Sequence, residues 1–165
     1  MTPPSRALIT AAAADLLRRL QDRNGAVMFH QSGGCCDGSS PMCYPDGDFI
    51  VGDRDVLLSI LDVGGEVPVW ISGPQFDAWK HTQLVIDVVP GRGGGFSLES
   101  PEGLRFLSRG RAFTDVENAE LTEHPPVTGE QYAEGARPAE TGTHVVAQAE
   151  DACPIPRRHA AGVQP

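Results

Sequence analysis

Apolar spacing divides the chain into a patterned stretch up to about Phe113 and a remainder that shows none. Arg6-Ala-Leu-Ile9 reads as a short strand, after which Thr10 is placed to cap a helix running to about Arg23. Within that helix Ala13, Leu16, Leu17 and Leu20 recur at i, i+3, i+4 and i+7, the stripe by which a helix packs on a sheet. Asn24-Gly25 stops it, and Ala26-Val-Met-Phe-His30 is a strand that delivers His30 into a Gly-rich loop. Short strands follow at Phe49–Val51, Val56–Leu61 and Val67–Ile71, with Gly64-Gly65 turning between the last two. Pro74–Lys80 predicts one or two helical turns, with Phe76 and Trp79 three apart on the packing face. Thr82–Val89 is the strongest strand, nearly continuous in Leu, Val and Ile and therefore buried. Gly91–Gly95 is a flexible crossing into Phe96–Glu99, and Arg105–Arg109 forms a last strand.

This order of elements predicts an α+β protein: short mixed or antiparallel sheets with one packed N-terminal helix, in a single domain over residues 1–113. Residues 114–165 hold nine acidic and three basic side chains among Pro, Gly and Ala. With so little large apolar surface to offset ordering entropy, they are expected to form a largely disordered tail. A brief ordered piece is expected near Val145-Val146. A length of 165 residues suits one domain with a tail.

Charge and cysteine content narrow the function classes. The formal net charge of −9 repels polyphosphate backbones, so nucleic acid is not an expected partner. Arg105, Arg109 and Arg111 read as a solvated strand edge. No segment has the order of a signal peptide, and none approaches the run of about 20 apolar residues that spans a membrane. A cytoplasmic location follows as the expectation, and there clustered thiols point to metal or redox work rather than to structural disulfides.

Three of the four cysteines fall within nine positions, in His30-Gln-Ser-Gly-Gly-Cys-Cys-Asp-Gly-Ser-Ser-Pro-Met-Cys43. Soft thiolates and an imidazole on one short loop are the ligands that zinc, copper, iron or an iron–sulfur cluster prefers. The candidate metal ligands are therefore His30, Cys35, Cys36 and Cys43. His81, between Trp79-Lys80 and the buried strand, is a further ligand or a proton shuttle. Asp37 is placed to hold a ligand histidine in its useful tautomer. A Cys–His nucleophile pair is a competing reading, weakened because neighbouring thiols invite oxidation. Asp87, inside an apolar strand, reads as half of a structural pair with a cation such as Arg92. Gly91-Arg-Gly-Gly-Gly95 lacks the order of a phosphate loop and reads as a hinge or close-packed turn. His124, His144, His159 and Cys153 fall in the tail and read as incidental.

The runs His30–Cys43, Gln75-Phe-Asp-Ala-Trp-Lys-His-Thr82 and Gly93-Gly-Gly-Phe-Ser-Leu-Glu99 closely resemble family 779 of the domains of unknown function, often labelled as associated with aldehyde dehydrogenase. The match covers about residues 6–113. That label implies a link to alcohol or aldehyde metabolism, with an alcohol or aldehyde dehydrogenase as a partner. More distantly, Ile9-Thr10 with its Ala-rich helix, the strand into Gly33-Gly-Cys35, and Gly94-Gly-Phe-Ser97 before Pro101 are similar to HesB-like, or A-type, iron–sulfur carrier proteins. That likeness implies a compact HesB-like fold with Cys35 at the first ligand position. The chain departs from it in lacking the carriers' late Cys-Gly-Cys.

The expectation drawn from both routes is an accessory protein holding a metal or iron–sulfur cluster on the 30–43 loop, linked to alcohol or aldehyde oxidation. Its rivals are a small metal-dependent enzyme with an open coordination position, using His81 or Asp37 to move protons, and a Cys-based redox or partner-binding module. Short exposed sheet edges are compatible with a homodimer.

Overall fold

The structure, a computed structural model, describes residues 3–32, 40–91, 97–139 and 144–152. Strand β1 (Ala7–Thr10) leads directly into helix α1 (Ala11–Asn24), because Thr10 stays extended while its hydroxyl accepts the Ala13 N–H. The predicted stripe is the buried one: Ala13, Leu16, Leu17 and Leu20 are all within 1% of full burial. Each leucine so enclosed contributes about 1.5–3 kcal/mol of apolar transfer.

After α1 come β2 (Val27–Gln31), β3 (Met42–Pro45), β4 (Val56–Asp62), β5 (Glu66–Ile71) and α2 (Gly73–Trp79). The two long strands β6 (Thr82–Pro90) and β7 (Leu104–Ala112) pair antiparallel along their whole length. With two short strands past Phe113, β8 (Val127–Thr128) and β9 (Val145–Val146), one sheet has the order β7-β6-β1-β9 and the other β3-β2-β5-β4-β8. Both are mixed, since β1 runs parallel to β6 and β2 runs parallel to β5. The main core joins α1 to apolar side chains of both sheets, including Ile9, Phe29, Val69, Ile86 and Phe106. A second cluster of Met28, Leu57, Trp70 and Val127 covers the other face of the β2-containing sheet. The protein is thus α+β, with two mixed sheets and a packed N-terminal helix.

Two stretches before Phe113 differ from the sequence expectation, and past it residues expected in a largely disordered tail form α3 (Asp115–Glu123), β8 and α4 (Gly129–Ala133). Phe49–Val51 is not a strand; Ile50 is 89% exposed, and the residues instead bring Phe49 against Tyr44. Met42–Pro45, read as the end of a loop, is strand β3. Its sequence carries no alternation, and its order comes from pairing with β2.

Past Phe113 the described residues form α3 (Asp115–Glu123), β8 (Val127–Thr128), α4 (Gly129–Ala133) and β9 (Val145–Val146), the last matching the ordered piece expected there. These elements are held by local capping and edge pairing in place of an apolar run. Thr114 with Glu117, and Thr128 with Gln131, each make a reciprocal capping box. Strand β8 adds to β4, and β9 adds in parallel to β1. Residues 153–165, with Cys153 and His159, lie outside the described residues.

Strand β7 is a sheet edge, and its arginines are engaged there. Arg111 pairs with Glu117 at 2.9 Å, Arg105 donates to Ser40 Oγ, and Arg109 pairs with Asp87 at 2.7 Å. Asp87 is therefore a structural carboxylate, which also accepts from Thr10 at the α1 cap. Arg92 lies outside the described residues. Among those residues no helix is long and apolar enough to cross a membrane.

Candidate functional site

Strand alternation decides which of the predicted ligands share a face. Phe29 and Cys43 are register partners, and both project into the main core. His30, one residue on, projects to the opposite face, where its ring lies 4.3 Å from that of Phe49. The structure thus places His30 and Cys43 on opposite sides of the β2–β3 pair.

Cys43 is fully buried. Its N–H donates to Ser97 Oγ at 2.9 Å, and its carbonyl accepts the Leu98 N–H at 3.0 Å. Ser97 in turn donates to the buried Glu99 carboxylate, which also accepts the Phe106 N–H at 3.2 Å. Burial, reinforced by the Glu99 charge, pushes the Cys43 thiol far above its ordinary pKa. Its side chain packs in the main core, on the face of the β2–β3 pair away from His30.

His30 is 3% exposed, and both ring nitrogens have partners. Nε2 lies 3.0 Å from Asp55 Oδ2, and Nδ1 lies 2.7 Å from Ser32 Oγ. A carboxylate only accepts, so in the neutral ring Nε2 carries the proton and Nδ1 accepts from the Ser32 hydroxyl. Ser32 is exposed at the end of β2 and is the last described residue before the cysteine loop. Cys35, Cys36 and Asp37 lie outside the described residues.

Asp55 is held from three sides. Its Oδ2 also accepts the Gly52 N–H at 2.9 Å, its own N–H donates to Gly52 carbonyl at 3.1 Å, and its carbonyl accepts the Gly129 N–H at 2.8 Å. Glu130 N–H donates to Asp53 carbonyl alongside. Gly129 must be glycine for this contact, because a Cβ there would lie 2.0 Å from the Gly52 carbonyl oxygen. The segment after α3 therefore braces the turn that orients His30.

His81 is not brought to this site. It stands exposed at the start of β6 in the other sheet, with Nδ1 3.1 Å from Asn118 Oδ1. Among the described residues no three His, Cys, Asp or Glu side chains gather around one ion position. Ser32 and Asp55 were missed in the sequence. Gly52-Asp-Arg-Asp55 before a strand is a turn signal, but its meeting with His30 depends on the register that aligns His30 with Trp70 and Trp70 with Leu57.

Fold and site together define an α+β protein with a buried, carboxylate-oriented histidine near the end of β2, five residues before Cys35 in the sequence. The chain belongs to the family described as a domain of unknown function, DUF779, whose model matches residues 16–112, more than half its length. No curated protein and no solved structure matches it.

Proposed function

We propose that this protein is a metal-binding accessory protein whose ion is held by His30 Nδ1 and by thiolates of the loop carrying Cys35 and Cys36. The observation that carries this reading is the Asp55 carboxylate on His30 Nε2. Metal-binding histidines characteristically donate their other ring N–H to a carboxylate, which fixes the tautomer and raises the basicity of the ligating nitrogen. Here Asp55, not Asp37, is the described group in that role, and the remaining nitrogen faces Ser32, three residues before Cys35 along the chain. Imidazole with thiolate suits zinc, copper or iron, including an iron–sulfur centre. The partner class implied by the family resemblance, an alcohol- or aldehyde-oxidising enzyme, completes the proposal as the recipient of the metal or of its signal.

The test is elemental analysis with an ultraviolet–visible spectrum, on untagged protein purified without oxygen or added metal. Near-stoichiometric metal in the wild type, lost in His30→Gln and in the double substitution Cys35→Ser/Cys36→Ser with unchanged circular dichroism, supports the reading. A metal-free wild type, or unchanged stoichiometry in both variants, overturns it.

One contact favours a second reading. Ser32 Oγ, His30 and Asp55 form a continuous hydroxyl–imidazole–carboxylate chain, the arrangement that activates a serine nucleophile. Labelling of Ser32 by a fluorophosphonate, abolished in His30→Gln, would support this enzyme. Ser32→Ala with full metal content and no loss of any hydrolytic activity would exclude it.

A further inference from the structure

Two arginines and two histidines of this acidic chain line one cleft that His30, Ser32 and Asp55 do not border. A cavity of about 520 Å3 opens between the N-terminal segment that includes Arg6, one side of β4, and the segment after α3. Arg6, His124, Arg137 and His144 all line it. A smaller cavity of about 170 Å3 shares Arg6 and the Pro125-Pro126 wall, and is lined on its other side by His81 and Lys80, the chain's only lysine. Two carboxylates, Asp62 and Glu66, also line the larger cavity, and both are exposed.

Neither guanidinium is neutralised by a carboxylate among the described residues. Arg6 donates from Nη2 to the Leu121 carbonyl at 3.1 Å, while its Nε is shielded from solvent and has no acceptor. Burial draws the Arg6 pKa below its ordinary value, the mark of a cation held where water does not fully solvate it. Arg137 lies 3.9 Å over the Tyr132 ring and donates to the Ala136 and Tyr132 carbonyls. Those contacts fix its position, and no described carboxylate pairs with it. His144 accepts the Asp62 N–H on Nδ1 at 3.2 Å. Sparing a poorly solvated cation a carboxylate of its own is unfavourable in the free protein and becomes favourable when an anion arrives. Leu58, Ile60 and Pro126 supply apolar wall beside these donors. The volume lies in the range of small-molecule sites, which are mostly apolar with a few convergent polar groups.

We propose that this cleft binds a small organic monocarboxylate, its headgroup held at Arg6 and Arg137 and its apolar body lying along Ile60 and the proline wall. This site is independent of the metal reading, since it uses none of His30, Asp55 or the loop cysteines.

The experiment is calorimetric titration of the full chain with acetate, butyrate and hexanoate, and separately with inorganic phosphate, with amide NMR shifts locating the contact. Saturable binding is expected, tightening from acetate to hexanoate, with shifts at Ile60, His124 and His144. Arg6→Gln weakens hexanoate binding by roughly tenfold or more, the loss of one charge-assisted hydrogen bond. Arg137→Gln, at an exposed position, weakens it by roughly threefold or more. His30→Gln leaves it unchanged, which separates this site from the metal proposal. No saturable binding by the wild type, equal affinity in Arg137→Gln, or phosphate binding as tightly as hexanoate would each overturn the assignment.

Discussion

Replacing Asp55 separates its two tasks, bracing a buried ring and tuning that ring's electronics. In Asp55→Ala the His30 Nε2–H loses its 3.0 Å acceptor inside a site where the imidazole is only 4% exposed. Leaving one buried donor unpaired costs about 1–3 kcal/mol. The Gly52 N–H, the other donor to that oxygen, is exposed, and water replaces the lost bond there. For a chain of this size each kcal/mol moves Tm by about 2–4 °C, so a fall of about 2–12 °C is expected. Asp55→Asn is nearly isosteric, and its amide oxygen still accepts from Nε2, so Tm should stay within about 3 °C of wild type. The amide lacks the negative charge that makes Nδ1 a better ligand, and metal affinity should fall about 10–100-fold. Melting curves followed by circular dichroism, together with chelator competition for the bound metal, read both quantities. If Asp55→Asn kept wild-type metal affinity while Asp55→Ala melted lower, Asp55 would be a brace alone and the argument for Nδ1 ligation would fail.

Three further outcomes are expected. Gly129→Ala forces a Cβ to within 2.0 Å of the Gly52 carbonyl oxygen, so the 52–55 turn and the segment after α3 separate. Overpacking of this kind costs about 1–3 kcal/mol; the check is a lowered Tm with earlier proteolytic cleavage between residues 125 and 139. Cys43 should react with a thiol reagent only on unfolding, and Cys43→Ser should keep full metal content, whereas native-state modification of Cys43 counted by mass spectrometry would contradict its burial. For Asp87, desolvation works to raise the pKa, but hydrogen bonds from Arg109, the Val88 N–H and Thr10 outweigh it and hold the carboxyl below its ordinary value of 3.8. A lowered folded-state value contributes stability that is present above the ordinary pKa and is lost as pH falls through the folded one. Stability measured by urea unfolding between about pH 5 and about pH 2.5 should therefore fall less steeply in Asp87→Asn than in wild type.

What could be read from the sequence was what local spacing determines. The Thr10 cap, the leucine stripe of α1, the buried run of β6 and the placing of His30 at a strand end all follow from patterns within about a dozen residues. Strand β3 escaped because Met42–Pro45 has no alternation and is ordered by its partner. As a result Cys43 was grouped with the loop thiols, although its neighbour Phe29 turns it into the core. The segment after Phe113 carried a readable signal in Thr114-x-x-Glu117 and Thr128-x-x-Gln131, but its few large apolar residues masked it. The Asp55–His30 contact and the convergence of Arg6 with His124 and His144 depend on long-range register, which no local pattern encodes.

X-ray absorption at the edge of the bound metal, on anaerobically purified protein, tests the central claim most directly. A first shell containing both sulfur and imidazole nitrogen, with the nitrogen contribution lost in His30→Gln, is the predicted result. A shell of oxygen and nitrogen alone, or one unchanged by His30→Gln, would contradict the assignment of His30 and the loop thiols as the metal centre.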